Sequence, residues 1–201
     1  MWFFTGDLRK PNRIRHNGNR LDGILEAHLD FFQGQPNGVR ADLSGADLSR
    51  ADLRGANLTD AILKGAQLGG ADLRGAKLTR ADLTNANLCK ADLRNTDMTE
   101  AVLPGADLSE AQASGVEFFR CDLSGAAFCR ANLRNANFRA ANIRGARFDG
   151  ADLNVTILRE TDLTGVDLSN VDLTTTLMPR NYAPVLEKKE AKLPRDEPGK
   201  P

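Results

Sequence analysis

A five-residue period governs this chain. From Ala41 it reads ADLSG ADLSR ADLRG ANLTD AILKG AQLGG ADLRG AKLTR, and the register holds without a gap to Arg180, 28 consecutive pentapeptides. The third residue of each, here called the centre, is Leu almost throughout, from Leu43 to Leu173. Phe118, Phe128, Phe138 and Phe148 replace it in one stretch, and Met98, Ala113, Ile143 and Met178 are rarer substitutes. Two residues before each centre stands Ala, or another small or β-branched residue such as Thr96, Val116, Cys121 or Thr161. Neither a helical period of 3.6 nor a strand period of 2 places every fifth residue inside over so long a run. A chain that turns a corner every five residues does. The first and third residues then face inward, and the other three face water.

The unit matches A(D/N)LXX letter for letter at Ala41-Asp42-Leu43, Ala51-Asp52-Leu53, Ala71-Asp72-Leu73 and Ala131-Asn132-Leu133. In this it resembles the pentapeptide-repeat family, and the resemblance covers about 70% of the chain. It implies an all-β fold, a right-handed quadrilateral parallel β-helix (a solenoid) with four pentapeptides per coil. Residues 41–180 would then form about seven coils, a rod roughly 34 Å long at the ~4.8 Å spacing of paired strands. Such a rod would be a repeat protein that presents surfaces for binding.

With a coil of 20 residues, side chains 20 apart stack in columns. Asp60, Arg80, Glu100 and Arg120 alternate in sign down one corner, and Glu160 and Arg180 resume the alternation after Ala140. Thr59, Thr79 and Thr99 would form a hydroxyl ladder beside them. Asp52, Asp72 and Asp92 run parallel to Arg54, Arg74 and Arg94, which would relieve a self-repelling carboxylate column. At the fifth residue, Gly or Asn (Gly45, Gly55, Asn85, Asn95, Gly105) alternates with charged residues (Arg50, Asp60, Arg80, Lys90, Glu110). Only the former tolerate positive φ readily, so two kinds of corner are expected to alternate around each coil.

A solenoid exposes an apolar cross-section at each end, and its ends need covers. Leu21, Ile24, Leu25, His28, Leu29 and Phe32 fall on one face of a helix, with Asn19 as its expected N-cap and Gly34, Pro36 and Gly38 after it. Residues 20–33 are read as a capping helix with His28 packed in its core. Upstream, Arg9, Lys10, Arg13, Arg15 and Arg20 form a loose basic arm, read as solvated. The organisation is therefore residues 1–40 as basic arm and capping helix, 41–180 as the β-helix, and 181–201 as a C-terminal cap and disordered tail. Tyr182, Val185 and Leu186 would cover the last coil or form the C-terminal homodimer contact that the resemblance implies.

Chemistry is sparse. No nucleophile–base arrangement, phosphate loop or metal cluster emerges, and His16 and His28 both lie outside the repeats. Three cysteines, Cys89, Cys121 and Cys129, match no zinc spacing and read as free thiols in a reducing compartment. Cys89 and Cys129 share a column two coils apart, roughly 10 Å, too far for a disulfide. No stretch approaches the ~20 apolar residues of a membrane span, and the opening Met-Trp-Phe-Phe is too short for a signal peptide. The chain is expected to be cytoplasmic, non-enzymatic, free of cofactors, and off the membrane.

Two binding functions remain, and charge separates them. Some relatives resemble duplex DNA and bind topoisomerases, conferring tolerance to inhibitors. Duplex DNA carries about one charge per 1.7 Å, so a rod of this length needs on the order of 20 net negative charges. Residues 41–180 hold 19 acids and 16 bases, a net of −3. That leaves a scaffold for protein–protein interaction as the preferred function, with nucleic acid disfavoured as a partner. Arginines crowd into residues 120–160 (net +3), whereas residues 41–119 carry −4. Within the basic band Phe119 occupies an outward position, with Arg120 beside it and Arg139 and Arg159 in its column. Phe119, Arg120, Arg139 and Arg159 are the candidate contact residues, with cation–π shielding of the ring by Arg139 as the bland alternative.

Overall fold

The side of each coil is one pentapeptide, and the geometry of that unit builds everything else. The computed structural model describes residues 8–180. Parallel bridges join residues 20 apart along the rod, from Asp42 with Ile62 to Asn142 with Asp162 and Ile157 with Leu177. The centre donates upward (Leu63 N to Asp82 O, 2.7 Å), the second residue donates downward (Asp82 N to Ala61 O, 3.0 Å), and the fifth donates upward again (Gly65 N to Thr84 O, 2.8 Å). A turn closes each corner, with the next Ala amide bonded to the preceding centre (Ala66 N to Leu63 O, 3.0 Å). Each side is so short that pairing is confined to isolated bridges and never extends into strands. The solenoid is there, but the regular strands that an all-β label suggests are not.

The second residue explains the D/N of the motif. Its side-chain oxygen accepts the amide two residues on, as Asp42 does from Ser44 (3.0 Å), Asn87 from Cys89 (3.0 Å) and Asp172 from Thr174 (2.9 Å). This Asx turn satisfies an amide that the corner would otherwise leave to solvent. Corners are of one kind, not two. The fifth residue has φ between 54° and 73° at every corner from Gly45 to Gly165, including Arg50, Asp60, Arg80 and Lys90. The expected alternation fails because each corner is the same turn, whose third position needs positive φ whatever residue stands there. Non-glycine residues lose about 1 kcal/mol there. Several of the charged ones reach along the rod to the next corner, as Arg80 does to Asp60 (2.7 Å) and Arg130 to Glu110 (2.9 Å).

Inside, the centres and the small first residues form one continuous core, with nearly all of them fully buried. Phe118 stacks on Phe138 (4.8 Å between centroids) and Phe128 on Phe148 (5.1 Å), and the two stacks meet edge to face. Where a hydroxyl or thiol replaces the inward Ala, it donates to the carbonyl 23 residues earlier: Thr96 to Leu73, Cys121 to Met98, Thr156 to Leu133, Thr161 to Phe138. The buried polar atom is thereby satisfied.

Before the rod come a short 3-10 helix (Pro11–Arg13), a hairpin of β1 (Arg15–His16) and β2 (Asn19–Arg20), and the helix α1 (Leu21–Phe32). Two expectations are corrected here. Asn19 does not cap the helix: it pairs with His16 in the hairpin, and Arg20 holds the N-cap position without a side-chain bond. Nor is the basic segment a loose arm. Arg9 bridges Ala51, Arg13 closes the 3-10 turn, and Arg15 and Arg20 face each other in the hairpin, whose tight turn Asn17–Gly18 makes the segment fold on itself. The helix packs Leu21 and His28, both fully buried, toward the rod, with Ile24 and Leu25 against the core. Its end lies so close to Gly38 that a Cβ there would meet the Phe31 backbone. Tyr182, Val185 and Leu186, with the rest of residues 181–201, lie outside the described residues.

Candidate protein-contact face

Consider the side formed by residues 56–60 and its repeats every 20 residues to 176–180. Toward the N-terminus its corner charges cancel in pairs: Arg80 bonds Asp60 twice (2.8 and 2.7 Å), and Arg120 approaches Glu100 (3.8 Å). No threonine ladder runs beside them. Thr79 gives its hydroxyl to the Asp97 carboxylate of the next coil (3.1 Å), and among the described residues no hydrogen bond joins it to the hydroxyls of Thr59 or Thr99.

The four candidate residues lie further along. Phe119 is the fourth residue of its unit, so its ring projects outward, yet it is half-buried. The reason is the guanidinium of Arg120, 4.9 Å from the ring centroid, with that of Arg139 at 6.0 Å. Arg139 does not give itself to the ring. Its Nε and Nη2 each donate to a Glu160 oxygen at 2.9 Å, and these bonds hold the Glu160 carboxyl below the usual carboxylate range. Arg159 is exposed, and its guanidinium has no hydrogen bond or ion pair among the described residues. The structure thus brings Phe119, Arg120 and Arg139 together and leaves Arg159 one coil beyond. One guanidinium is committed, one is loosely held and one is open, an arrangement that can take a carboxylate beside an apolar group.

The next side shows what a closed surface looks like. Arg54 chelates Asp52 (2.7 Å twice) and leans to Asp72 (3.7 Å), while Arg74 chelates Asp72 and leans to Asp92 (3.5 Å). Burial works against ionising Asp72, but the Arg74 bonds and the Arg54 charge still hold its carboxyl below the usual range. Every charge in this ladder is answered within it.

Sequence reasoning overlooked three neighbours of the candidate residues. Ile157 and Leu177 take the second position, where Asp or Asn makes the Asx turn, and Val155 takes a positive-φ corner. The signal was present in the motif itself, as apolar residues at positions the repeat reserves for others. Other chemistry stays mute. Burial pushes the Cys121 thiol up to about 12, and that of Cys89 upward too. No group of three or more His, Cys, Asp or Glu among the described residues could hold a metal, and no helix there is long and apolar enough to cross a membrane.

A family model for pentapeptide repeats matches this chain in 8 copies, over residues 39–75, 76–112, 117–154 and 145–178. No curated protein matches it. Similar solved structures include HetL, a pentapeptide repeat protein involved in heterocyst differentiation regulation from Nostoc sp. strain PCC 7120. It is 31% identical over 71% of this chain and 86% of its own, with a TM-score of 0.36. A pentapeptide repeat protein from the Arabidopsis thaliana thylakoid lumen is 29% identical over 58% of this chain and 67% of its own, TM-score 0.34. QnrB1, a plasmid-mediated fluoroquinolone resistance protein, is 24% identical over 70% of this chain and 78% of its own, TM-score 0.30.

Proposed function

Since this chain belongs to the pentapeptide-repeat family, we propose that it works as a non-enzymatic scaffold whose contact with a protein partner is made through Phe119, Arg120, Arg139 and Arg159. Residues 41–180 form its rod, seven coils of four pentapeptides, and residues 1–40 form a unit whose helix caps the first coil. The observation that carries the contact reading is an outward aromatic ring held against the Arg120 and Arg139 guanidinium groups, with the open guanidinium of Arg159 one coil beyond Arg139. Arginine and aromatic side chains are enriched among residues that dominate binding energy, and an acidic partner would satisfy the surplus of positive charge. A net of −3 over residues 41–180 argues against a mimic of duplex DNA.

The test compares the wild type with a Phe119→Ser, Arg139→Glu, Arg159→Glu variant for melting temperature and for proteins recovered from native lysate. The expected result is an unchanged melt and the loss of one partner. Retention of every partner by the folded variant would show the face to be solvated surface. Recovery of a topoisomerase would show the charge argument to be too coarse.

A further inference from the structure

Three departures from the repeat cluster beside the contact face: one takes a strained corner, and two give up a local turn that their neighbours keep. Val155 stands at a corner with φ 59°, the one β-branched residue among the positive-φ positions, and it is 47% exposed. A β-branched residue in this region is a genuine outlier, and strain of this kind collects at functional sites. Ile157 and Leu177, bridged to each other on successive coils, replace the Asx residue and so forgo its turn. Outward apolar residues occur elsewhere in the second position, at Ile62 and Val102, but Asp82 separates those two in their column. Here nothing does. Leu177 is 40% exposed and Ile157 half-buried, with no core for either to serve on that side.

Two residues further along the same sides runs the column Phe119, Arg139, Arg159. The strip is therefore a short apolar row with arginines along one flank. From residue 119 to 180 its side and corner carry Arg120, Arg139, Arg159 and Arg180 against Glu160 alone. Rows repeat about every 4.8 Å along the rod, close to the ~5.4 Å pitch of an α-helix. A helix laid along the rod keeps one side chain per turn in step with one row per coil for about three turns. An extended segment, repeating each face at about 6.6 Å, falls out of step after one.

Resting on the contact reading above, we propose that this strip docks an acidic amphipathic helix of a partner protein. The helix would set one apolar residue over Val155 and Ile157, which share a coil, and another at i+3 or i+4 over Leu177 on the next coil, with carboxylates beside Arg139 and Arg159. Charge complementarity chooses acid on the flank, and the row spacing chooses helix over strand.

The probe is a fluorescent synthetic helix of about 18 residues, or five turns, with Leu at that spacing, Glu flanking and Ala elsewhere. Its controls are a scramble of the same composition and a version with Lys for Glu. The full chain should bind the designed helix saturably, raise its helicity, and bind both controls at least about tenfold more weakly. The variant Val155→Gly, Ile157→Asn, Leu177→Asn returns all three positions to residues the repeat uses, since Asn137 and Asn142 make this turn elsewhere. It should melt no earlier than wild type and lose the helix. If it melts early, Ile157→Asn alone carries the comparison.

Equal binding of helix and scramble, binding retained by the variants, or no binding at all would each overturn the proposal. So would a concentration-dependent dimer dissolved by the variant, which would give the strip to a second copy of the chain. If the lysate partner is lost in the Phe119, Arg139, Arg159 variant while the helix fails to bind, the contact face stands and only its helical ligand falls.

Discussion

The two ends of the rod are built differently. At the first coil, Arg9 lies where a preceding coil would run: its amide donates to Arg50 O (2.7 Å) and its carbonyl accepts from Asp52 N (2.9 Å). Its guanidinium also reaches Asp47 (2.9 Å). His28 takes the Ala41 amide on Nδ1 (3.0 Å), and Ile14, Leu21 and His28 are completely buried. In the last coil the bridges thin to Asn142 with Asp162 and Ile157 with Leu177, positive-φ corners stop at Gly165, and Leu163, Val166, Val171, Leu173 and Met178 are only half-buried. The same repeat, with the same inward pattern, is therefore fully bridged and buried where a coil or its substitute lies on both sides. It is less bridged and less buried where described neighbours lie on one. In a solenoid each unit draws its stability from its neighbours, so position along the rod matters as much as residue type.

Lysine at a centre probes this most severely. Leu93→Lys, in mid-rod with 0% exposure, should cost about 4 kcal/mol or more, since the ammonium would be desolvated without a partner. Leu173→Lys, at a half-buried centre in the last coil, should cost less than half as much, because the long side chain reaches water. Urea midpoints of the two variants measure the difference, and equal losses would abolish the contrast between interior and end.

Glycine substitutions sharpen the contrast at smaller scale. Gly38→Ala forces a Cβ into the Phe31 backbone and must displace the helix from the first coil, at about 2 kcal/mol or more. Gly165→Ala meets nothing within 4 Å and bears only the strain of φ 73°, about 1 kcal/mol. Should thermal melts rank them the other way, the packing of residues 8–40 on the rod is not what stabilises that end.

The mildest probe is pH. Burial lowers the pKa of His28, while the nearby Thr59 carbonyl and Asp60 charge raise it less and Arg40 lowers it further. The ring is neutral and accepts from Ala41, and its Nε2 is buried with no hydrogen-bond partner. Below its ordinary value near 6.5 the unfolded chain takes up a proton that the folded ring refuses. The contribution of His28 is thus complete above that pH and is lost as pH falls toward the lowered folded value. Losing the Ala41 bond as well would cost about 1 kcal/mol. His28→Gln keeps an acceptor but does not titrate, so melts between pH 8 and pH 5 should slope less for it than for wild type. Parallel slopes would show that the ring is not closed in at the first coil.

Much of this was legible before any coordinates. The inward places of Ala41, Leu43 and their repeats, the 20-residue columns, and the Asp52–Arg54–Asp72–Arg74 ladder all follow from a strict period, because a period repeats one environment along the chain. The helix at Leu21–Phe32 was readable for the same reason, from its own period. What escaped was non-periodic or non-local. Asn19 looked like a cap because its type favours one, but pairing with His16 took it into a hairpin. Arg9 looked solvated because nothing near it in sequence binds it, whereas its partners stand some 40 residues away.

The repeat by itself determined the solenoid: with a small residue and a large apolar one every five positions, only a four-residue turn at each corner buries both kinds together. Tertiary structure decided the rest. It imposed positive φ on Arg50, Lys90 and Val155 alike, since a corner's dihedrals are set by the coils above and below it and not by the residue's own preference. It also gave Arg139 to Glu160 in the next coil and left Arg159 open, because a flexible guanidinium goes to whichever carboxylate the stacking of coils brings within reach.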